Sequence, residues 1–353
     1  MTKPLISLAT ALALALPAFA PALAQEKAEN FPSPGEIVET ARAEEWIAIP
    51  AEDLVVMTLA PDADGSARKV IIQLMPAPFG EAWTANIRTF ARSGWFDDIT
   101  VNRVQDNYVV QWGDANYDNP ESDGEPKGLP VGLRETSEGD YAVAAEAIGL
   151  PRLLADSQRA RALETDKPII TGDATAGMIL ANGLTDPYAQ LSLPYDGWPL
   201  ASNYGEDENE GTAQVWPVHC YGMVGVGRNY SPDAGTGAEL YTVIGHAPRH
   251  LDRNIALVGR IVEGMEHLSS LPRGKGTLGF YEDENKRTPI LTVRVAADLP
   301  EDERPVFEYL DTSGETFARY ADARANRRDP FFNVAAGGVD ICNIPVPIRR
   351  VAE

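Results

Sequence analysis

Apolar residues in this chain fall in short blocks, and most blocks carry the strand signature of β-branched and aromatic side chains bounded by Gly, Pro, Asn and Asp. Residues 54–59 and 69–75 are two such blocks, joined by Pro61-Asp62-Ala63-Asp64-Gly65, a turn-rich link that predicts a hairpin. Trp83, Ile87, Phe90 and Ala91 instead fall at helical spacing and stop before Gly94, which predicts a helix. Strand blocks resume at 99–103, 108–112, 221–226, 240–244, 256–262 and 290–295. Ahead of them, Ser33-Pro34-Gly35-Glu36 reads as a capping box with proline at the first helical position, followed by Ile37, Val38, Ala41 and Trp46 at roughly helical spacing. In the tail, Thr312-x-x-Glu315 reads as a second capping box before a helix holding Phe317 and Tyr320, and 339–348 reads as a last strand. No internal repeat at a fixed period is apparent.

Between 115 and 218 the texture changes to Asn, Asp, Gly and Pro, with one helix-like stretch over 141–163 and an acidic cluster at Glu206, Asp207, Glu208 and Glu210. This segment holds 18 acids and 6 bases, about half of the chain's formal charge of -22. A charge of that sign repels phosphate backbones and anionic lipid surfaces, which argues against nucleic-acid binding. The first residues change the picture again. Lys3, an Ala/Leu-rich run over 5–16, Pro17 and the small-x-small triplet Ala22-Leu23-Ala24 read as a secretory signal cleaved after residue 24, too short to span a bilayer. The expectation is export to the periplasm as a protein of charge -23 with no membrane span, in a compartment that permits disulfides. The two cysteines, Cys220 and Cys342, then either pair and tie the tail back to the main domain or stay as separately buried thiols. Two cysteines and four histidines leave little for a metal cage, and neither a metal nor a cofactor is expected.

Several motifs dissolve on inspection. His246 and His250 are four apart, but Pro248 lies between them and no Glu follows His246, so a turn is expected rather than a metal pair. Gly222, Gly225 and Gly227 have the wrong spacing for a dinucleotide loop, and Gly274-Lys275-Gly276-Thr277 lacks the first glycine of a phosphate loop. No Gly-x-Ser-x-Gly elbow supports a serine hydrolase.

One constellation survives. It runs Ala85-Asn86-Ile87, Gly94-Trp95-Phe96-Asp97-Asp98-Ile99-Thr100, Asn102-Arg103-Val104 and Tyr108-Val109-Val110-Gln111-Trp112-Gly113-Asp114. A second block follows in the right order: Gly237-Ala238-Glu239-Leu240-Tyr241, Leu251-Asp252, and Val258-Gly259-Arg260-Ile261-Val262-Glu263-Gly264-Met265. Together they resemble the signature of the cyclophilins, the peptidyl-prolyl cis/trans isomerases, over about 54–271, and the design looks like a diverged periplasmic branch of the bacterial members. The resemblance implies a mainly β fold: a closed eight-stranded antiparallel barrel capped by two helices over 54–295. An N-terminal extension with a short helix over 25–53 precedes it, 115–218 forms a long acidic insert accessory to it, and a C-terminal extension over 296–353 follows.

The resemblance also implies a site on the outer face of the barrel. Isomerising an Xaa-Pro bond requires the amide to lose its resonance, a barrier of ~18–20 kcal/mol, and makes or breaks no bond, so a donor aimed at the prolyl nitrogen suffices. Arg103 matches the family's arginine in that role, with Gln111 placed to bond the substrate backbone. Val109 shares a face with Gln111 and would line the proline pocket with Tyr108, Tyr241 and Leu251. The sequence departs from the family where phenylalanines become Tyr108 and Tyr241, methionine becomes Val109, histidine becomes Ile255 and the groove tryptophan becomes His250. Weak cyclosporin binding at most is implied. Glu239 stands where the family has a glutamine, and would pair with Arg103 or point to solvent. The expected partners are extended, proline-containing polypeptides, and the expected activity is prolyl isomerisation that assists folding. A binding module that grips such chains without catalysis, as a chaperone or envelope assembly partner would, is the alternative.

Overall fold

The computed structural model describes residues 31–116, 124–153, 186–204 and 213–351. In chain order it runs through helix α1 (Pro34–Glu39), strands β1 (Trp46–Ala48), β2 (Leu54–Leu59) and β3 (Arg68–Leu74), helix α2 (Glu81–Arg92), and strands β4 (Thr100–Val104) and β5 (Val109–Gly113). The next strands are β6 (Val143–Ala144), β7 (Leu191–Tyr195), β8 (Trp198–Ser202) and β9 (Gln214–Pro217). Then come β10 (Met223–Val226), β11 (Leu240–Val243), β12 (Leu257–Glu263), β13 (Thr288–Val295), β14 (Phe307–Leu310) and β15 (Ile348–Arg350).

Eight strands close into an antiparallel barrel in the order β10-β11-β5-β4-β13-β2-β3-β12. These are the eight blocks that the apolar pattern picks out, and closure leaves no open edge to pair with another chain. The period of two decides what fills the barrel: Val55, Met57 and Leu59, Val70, Ile72 and Leu74, and Val110 and Trp112 all point inward. Trp83, Ile87, Phe90 and Ala91 of α2 close one end over the same core, with the indole of Trp83 donating to Gly235 O at 2.8 Å. A one-turn helix, Glu266–Ser269, contributes the buried Leu268 to that core.

The extensions meet each other. β1, β14 and β15 form a three-stranded sheet, and α1 packs with the tail helix Glu315–Ala325 around Ile37, Trp46, Leu310 and Phe317. The Ser33–Glu36 capping box is present. Trp46, however, starts β1 rather than extending the helix, which ends at Glu39. The second capping box does not form: Gly314 is the N-cap of the tail helix, and the Thr312 hydroxyl accepts from Gly197 N at 3.2 Å, buried under the insert. Nor is 339–348 a strand. Asp340 caps a single tight turn over Ile341–Asn343, and the strand begins only at Ile348. Cys220 and Cys342 form a disulfide that closes a separation of 122 residues, joining the tail to the end of the insert.

The insert is the main departure from the sequence reading. It carries a four-stranded sheet in the order β6-β9-β8-β7, and over 141–148 the helix-like stretch is instead two tight turns and the short strand β6. Gly149, with φ 67°, stops the second turn, and Ala145 N bonds across to Ala213 O at 2.8 Å, so pairing with β9 overrides the helical composition of the segment. A helical turn begins at Leu150; the rest of that stretch and the acidic cluster at 206–210 lie outside the described residues.

The sheet also does not stand apart from the barrel. Met75, Phe79, Met223 and Leu257 from the barrel share one buried cluster with Leu193, Trp198, Leu200 and Trp216 from the insert. Arg260 on β12 is buried against it, donating to Gln73 Oε1 at 2.8 Å and to Gly197 O at 2.6 Å beneath the Trp198 ring, and burial brings its pKa down to about 9. The insert therefore completes the core instead of decorating it. Exposing large apolar side chains costs roughly 1.5–3 kcal/mol each, so replacing 118–210 with a short Gly/Ser linker is expected to give an aggregating or far less stable protein. A soluble variant with an unchanged melting temperature would contradict the shared core.

Candidate active site

A bulge sets the site up. Register shifts between Val101 and Arg103 on β4, so Val101 and Val104, three apart, both reach the barrel core, and Arg103 is turned to the outer face opposite Gln111. Strict alternation would have put Arg103 on the same face as Val101. On β5 and β11 the outer positions are Val109 and Gln111, paired in register with Val243 and Tyr241. The turn joining β4 to β5 carries Asn107 at φ 50°, and Tyr108 leaves it beside Arg103.

Three of the Arg103 donors are fixed. Nε donates to Leu278 O at 2.8 Å, Nη1 to Gln111 Oε1 at 3.0 Å, and Nη2 to Gln105 Oε1. Each terminal nitrogen keeps one further N–H. The guanidinium lies between the rings of Tyr108 and Phe280, 5.7 and 5.6 Å from their centroids, so its orientation is set on both sides. Burial lowers its pKa, partly offset by the Tyr108 and Tyr241 oxygens, and likewise raises that of Tyr108.

Glu239 neither pairs with Arg103 nor faces solvent, as the sequence suggested it would. It is 2% exposed and accepts from Gln111 Nε2 at 3.4 Å, so Gln111 stands between carboxylate and guanidinium. Gly113 makes this possible: a Cβ there would fall 2.0 Å from Glu239 Oε1.

These residues line a cleft of about 740 Å³. Its apolar side is Val109, Tyr241, Leu251, Ile255 and Tyr108, and its polar side is Arg103, Gln111 and Glu239. Gly227 to Tyr230 form one rim, and Asn116, Gly124 and Pro126 bring the insert to the cleft edge. Of the residues expected at the site, His250 alone is displaced. It is exposed, is not among the lining residues, and stacks on Tyr108 at 6.4 Å. Its place in a tight turn after Pro248 turns it outward.

The sequence missed Gln105, Leu278 and Phe280, which belong to no motif and meet Arg103 only through the fold. It also missed His219. That ring is 1% exposed, with Nδ1 2.9 Å from Asp252 Oδ1 and Nε2 2.9 Å from the Tyr241 hydroxyl. Asp252 lies in a quoted motif but carried no role. No group of three or more His, Cys, Asp or Glu side chains suited to a metal occurs among the described residues.

A family model described as cyclophilin type peptidyl-prolyl cis-trans isomerase/CLD matches residues 69–295, from β3 through β13. No curated protein sequence matches the chain. Among solved structures, a cyclophilin from Hirschia baltica, AquaCyp293, superposes with a TM-score of 0.57 at 20% identity, covering 87% of this chain and 95% of that one. A cyclophilin type peptidyl-prolyl cis-trans isomerase from Cryptosporidium parvum gives a TM-score of 0.36 at 10% identity, covering 69% and 96%. The family match spans more than half of the chain and contains every strand and side chain that builds the cleft, and so the chain belongs to the cyclophilin type peptidyl-prolyl cis-trans isomerase family.

Proposed function

We propose that this protein is an exported prolyl isomerase acting on extended Xaa-Pro segments of other polypeptides and assisting their folding. The observation that carries this reading is Arg103, held by three hydrogen bonds and two rings, with an N–H left on each terminal nitrogen at the wall of a cleft whose opposite side is apolar. The proline ring sits against Val109, Tyr241, Leu251 and Ile255. Gln111 bonds the substrate backbone, and Arg103 donates to the prolyl nitrogen, whose lone pair is released only as the amide twists. That bond is stronger in the transition state than in either planar isomer, which is the requirement for catalysis. Because the donor is already oriented, little reorganisation is needed when the amide turns.

Export rests on the leader at residues 1–24, and no helix among the described residues is long and apolar enough to cross a membrane. With His250 outside the cleft, cyclosporin is expected to bind weakly at most. A protease-coupled isomerisation assay on the secreted form tests the enzymatic reading: cis-to-trans conversion of an Ala-Ala-Pro-Phe anilide rises in proportion to protein concentration. Binding of that peptide with no gain in rate would favour a chaperone-like binder instead. N-terminal sequencing of the protein recovered from the bacterial periplasm is expected to begin at Gln25, and an intact leader would contradict export by cleavage.

Glu239 tunes the donor through Gln111. A carboxylate draws the amide toward itself and places negative charge near the guanidinium, while a glutamine would keep the bond without the charge. Glu239→Gln is expected to raise kcat/KM a few-fold, within about 1 kcal/mol. A fall in kcat/KM would show that the carboxylate is needed to orient Gln111.

A further inference from the structure

Behind the apolar wall of the cleft lies a buried polar chain that the isomerisation chemistry does not use. It starts on the insert with Asp186, which accepts from Tyr188 N at 2.9 Å, from the Ser192 hydroxyl, and from Arg249 Nη2 at 2.7 Å. Arg249 Nε donates to Asp252 Oδ2 at 2.7 Å, and both side chains of that pair are at most 5% exposed. The other Asp252 oxygen accepts from His219 N at 3.0 Å and faces His219 Nδ1 at 2.9 Å. Since Asp252 accepts at Nδ1, that nitrogen carries the proton, and Nε2 is left to accept from the Tyr241 hydroxyl at 2.9 Å. The His219 and Tyr241 rings stack at 6.3 Å with an interplanar angle of 12°.

We infer that Asp252 and His219 are positioning residues that fix the Tyr241 ring, and that through Arg249 the insert reaches the proline pocket from behind. Tyr241 is the one residue that belongs both to the cleft wall and to this chain. Its phenol is not a nucleophile in waiting: full burial holds its pKa well above the ordinary value, so the hydroxyl stays protonated and can donate a hydrogen bond to the imidazole. The room for this arrangement is made locally, because a Cβ at Gly225 would fall 2.3 Å from the Tyr241 oxygen. A phenylalanine at 241 would offer the same ring to a proline but could not be held by His219. The hydroxyl is therefore a device for placing the ring, and its effect falls on how tightly a proline side chain is gripped rather than on the twist of the amide.

This inference rests on the isomerase reading for its kinetic arm, and a spectroscopic arm separates the two. In the protein beginning at Gln25, His219→Ala is expected to raise KM for the Ala-Ala-Pro-Phe anilide roughly 3- to 10-fold, the worth of one hydrogen bond, with kcat changed less than about 2-fold. His219→Gln, whose amide oxygen can accept from the same hydroxyl, is expected to recover most of the loss and guards against a misfolded alanine variant. In a Tyr241→Phe background, adding His219→Ala is expected to change nothing further, since the bond is already gone. Multiplying effects of the two substitutions, or a loss confined to kcat, would overturn the assignment. If the wild-type protein neither binds nor turns over the peptide, the isomerase reading fails on its own, and the imidazole nitrogen chemical shifts still decide the positioning claim. They are expected to show a proton on Nδ1 and to move at Nε2 on Tyr241→Phe, and shifts indifferent to that substitution would overturn it.

Discussion

Arg103→Ala is expected to lower kcat/KM roughly 10- to 100-fold, the loss of a charge-assisted hydrogen bond made in the transition state. The reason is geometric as well as electrostatic. The β4 bulge brings Arg103 to the outer face, and its bonds to Leu278, Gln111 and Gln105 leave it aimed across the cleft. Lysine cannot substitute: a point charge on a flexible stem reproduces neither the three-way anchoring nor the planar contact with Tyr108 and Phe280, so Arg103→Lys is expected to recover little of the loss. Because Arg103 is partly exposed and the barrel interior is untouched, circular dichroism and the melting temperature should stay close to wild type. An unchanged kcat/KM in such a folded variant would remove Arg103 from the mechanism.

Arg249→Ala is expected to destabilise the protein by about 3–5 kcal/mol, because it strands two buried carboxylates. Asp186 and Asp252 are 2% and 5% exposed at the side chain, and each accepts from one arm of the same guanidinium. Burial by itself would raise the Asp186 pKa; the bonds from Arg249 and Ser192 outweigh it and leave the value below the ordinary 3.8. A carboxylate depressed on folding contributes stability that is complete above its unfolded value and is lost as pH falls through the folded one. The wild-type advantage over Arg249→Ala should thus be full at neutral pH and shrink as pH falls, first as Asp186 in the variant, buried without Arg249, neutralises above its ordinary 3.8, and then below 3.8 as the wild-type carboxylate is itself protonated. Urea unfolding of both proteins at neutral and acidic pH checks this, and a difference independent of pH would show that lost packing, not stranded charge, is responsible.

The barrel was legible because its strands alternate. Val55, Met57 and Leu59 face inward with polar or satellite-packed neighbours between them, and the same holds on β3 and β5. The cleft was legible for the residues carried by the Asn102-Arg103-Val104 and Tyr108-to-Asp114 runs, since their spacing survives divergence of the side chains around them. The insert sheet was not legible. β7 and β8 are buried at nearly every position, so no alternation shows, and Pro194, Gly197 and Pro199 read as loop signals although they sit within or between paired strands. The composition of 115–218 is acidic, yet the part that packs on the barrel is Leu193, Trp198, Leu200 and Trp216. His219 was invisible for another reason. Its partners Tyr241 and Asp252 lie 22 and 33 residues away on different elements, and a lone histidine beside a cysteine carries no spacing to read. In the tail, Thr312 had the right neighbour for a cap but was claimed by Gly197 of the insert, a long-range bond that no local rule anticipates.

The most direct test is cis/trans exchange in an Xaa-Pro peptide followed by NMR in the presence of catalytic amounts of the protein. Spontaneous exchange takes tens to hundreds of seconds at room temperature. Exchange cross-peaks are expected to appear with wild-type protein, to scale with its concentration and to weaken strongly with Arg103→Ala. Peptide resonances that shift on binding while the exchange rate stays at its spontaneous value would contradict the isomerase reading.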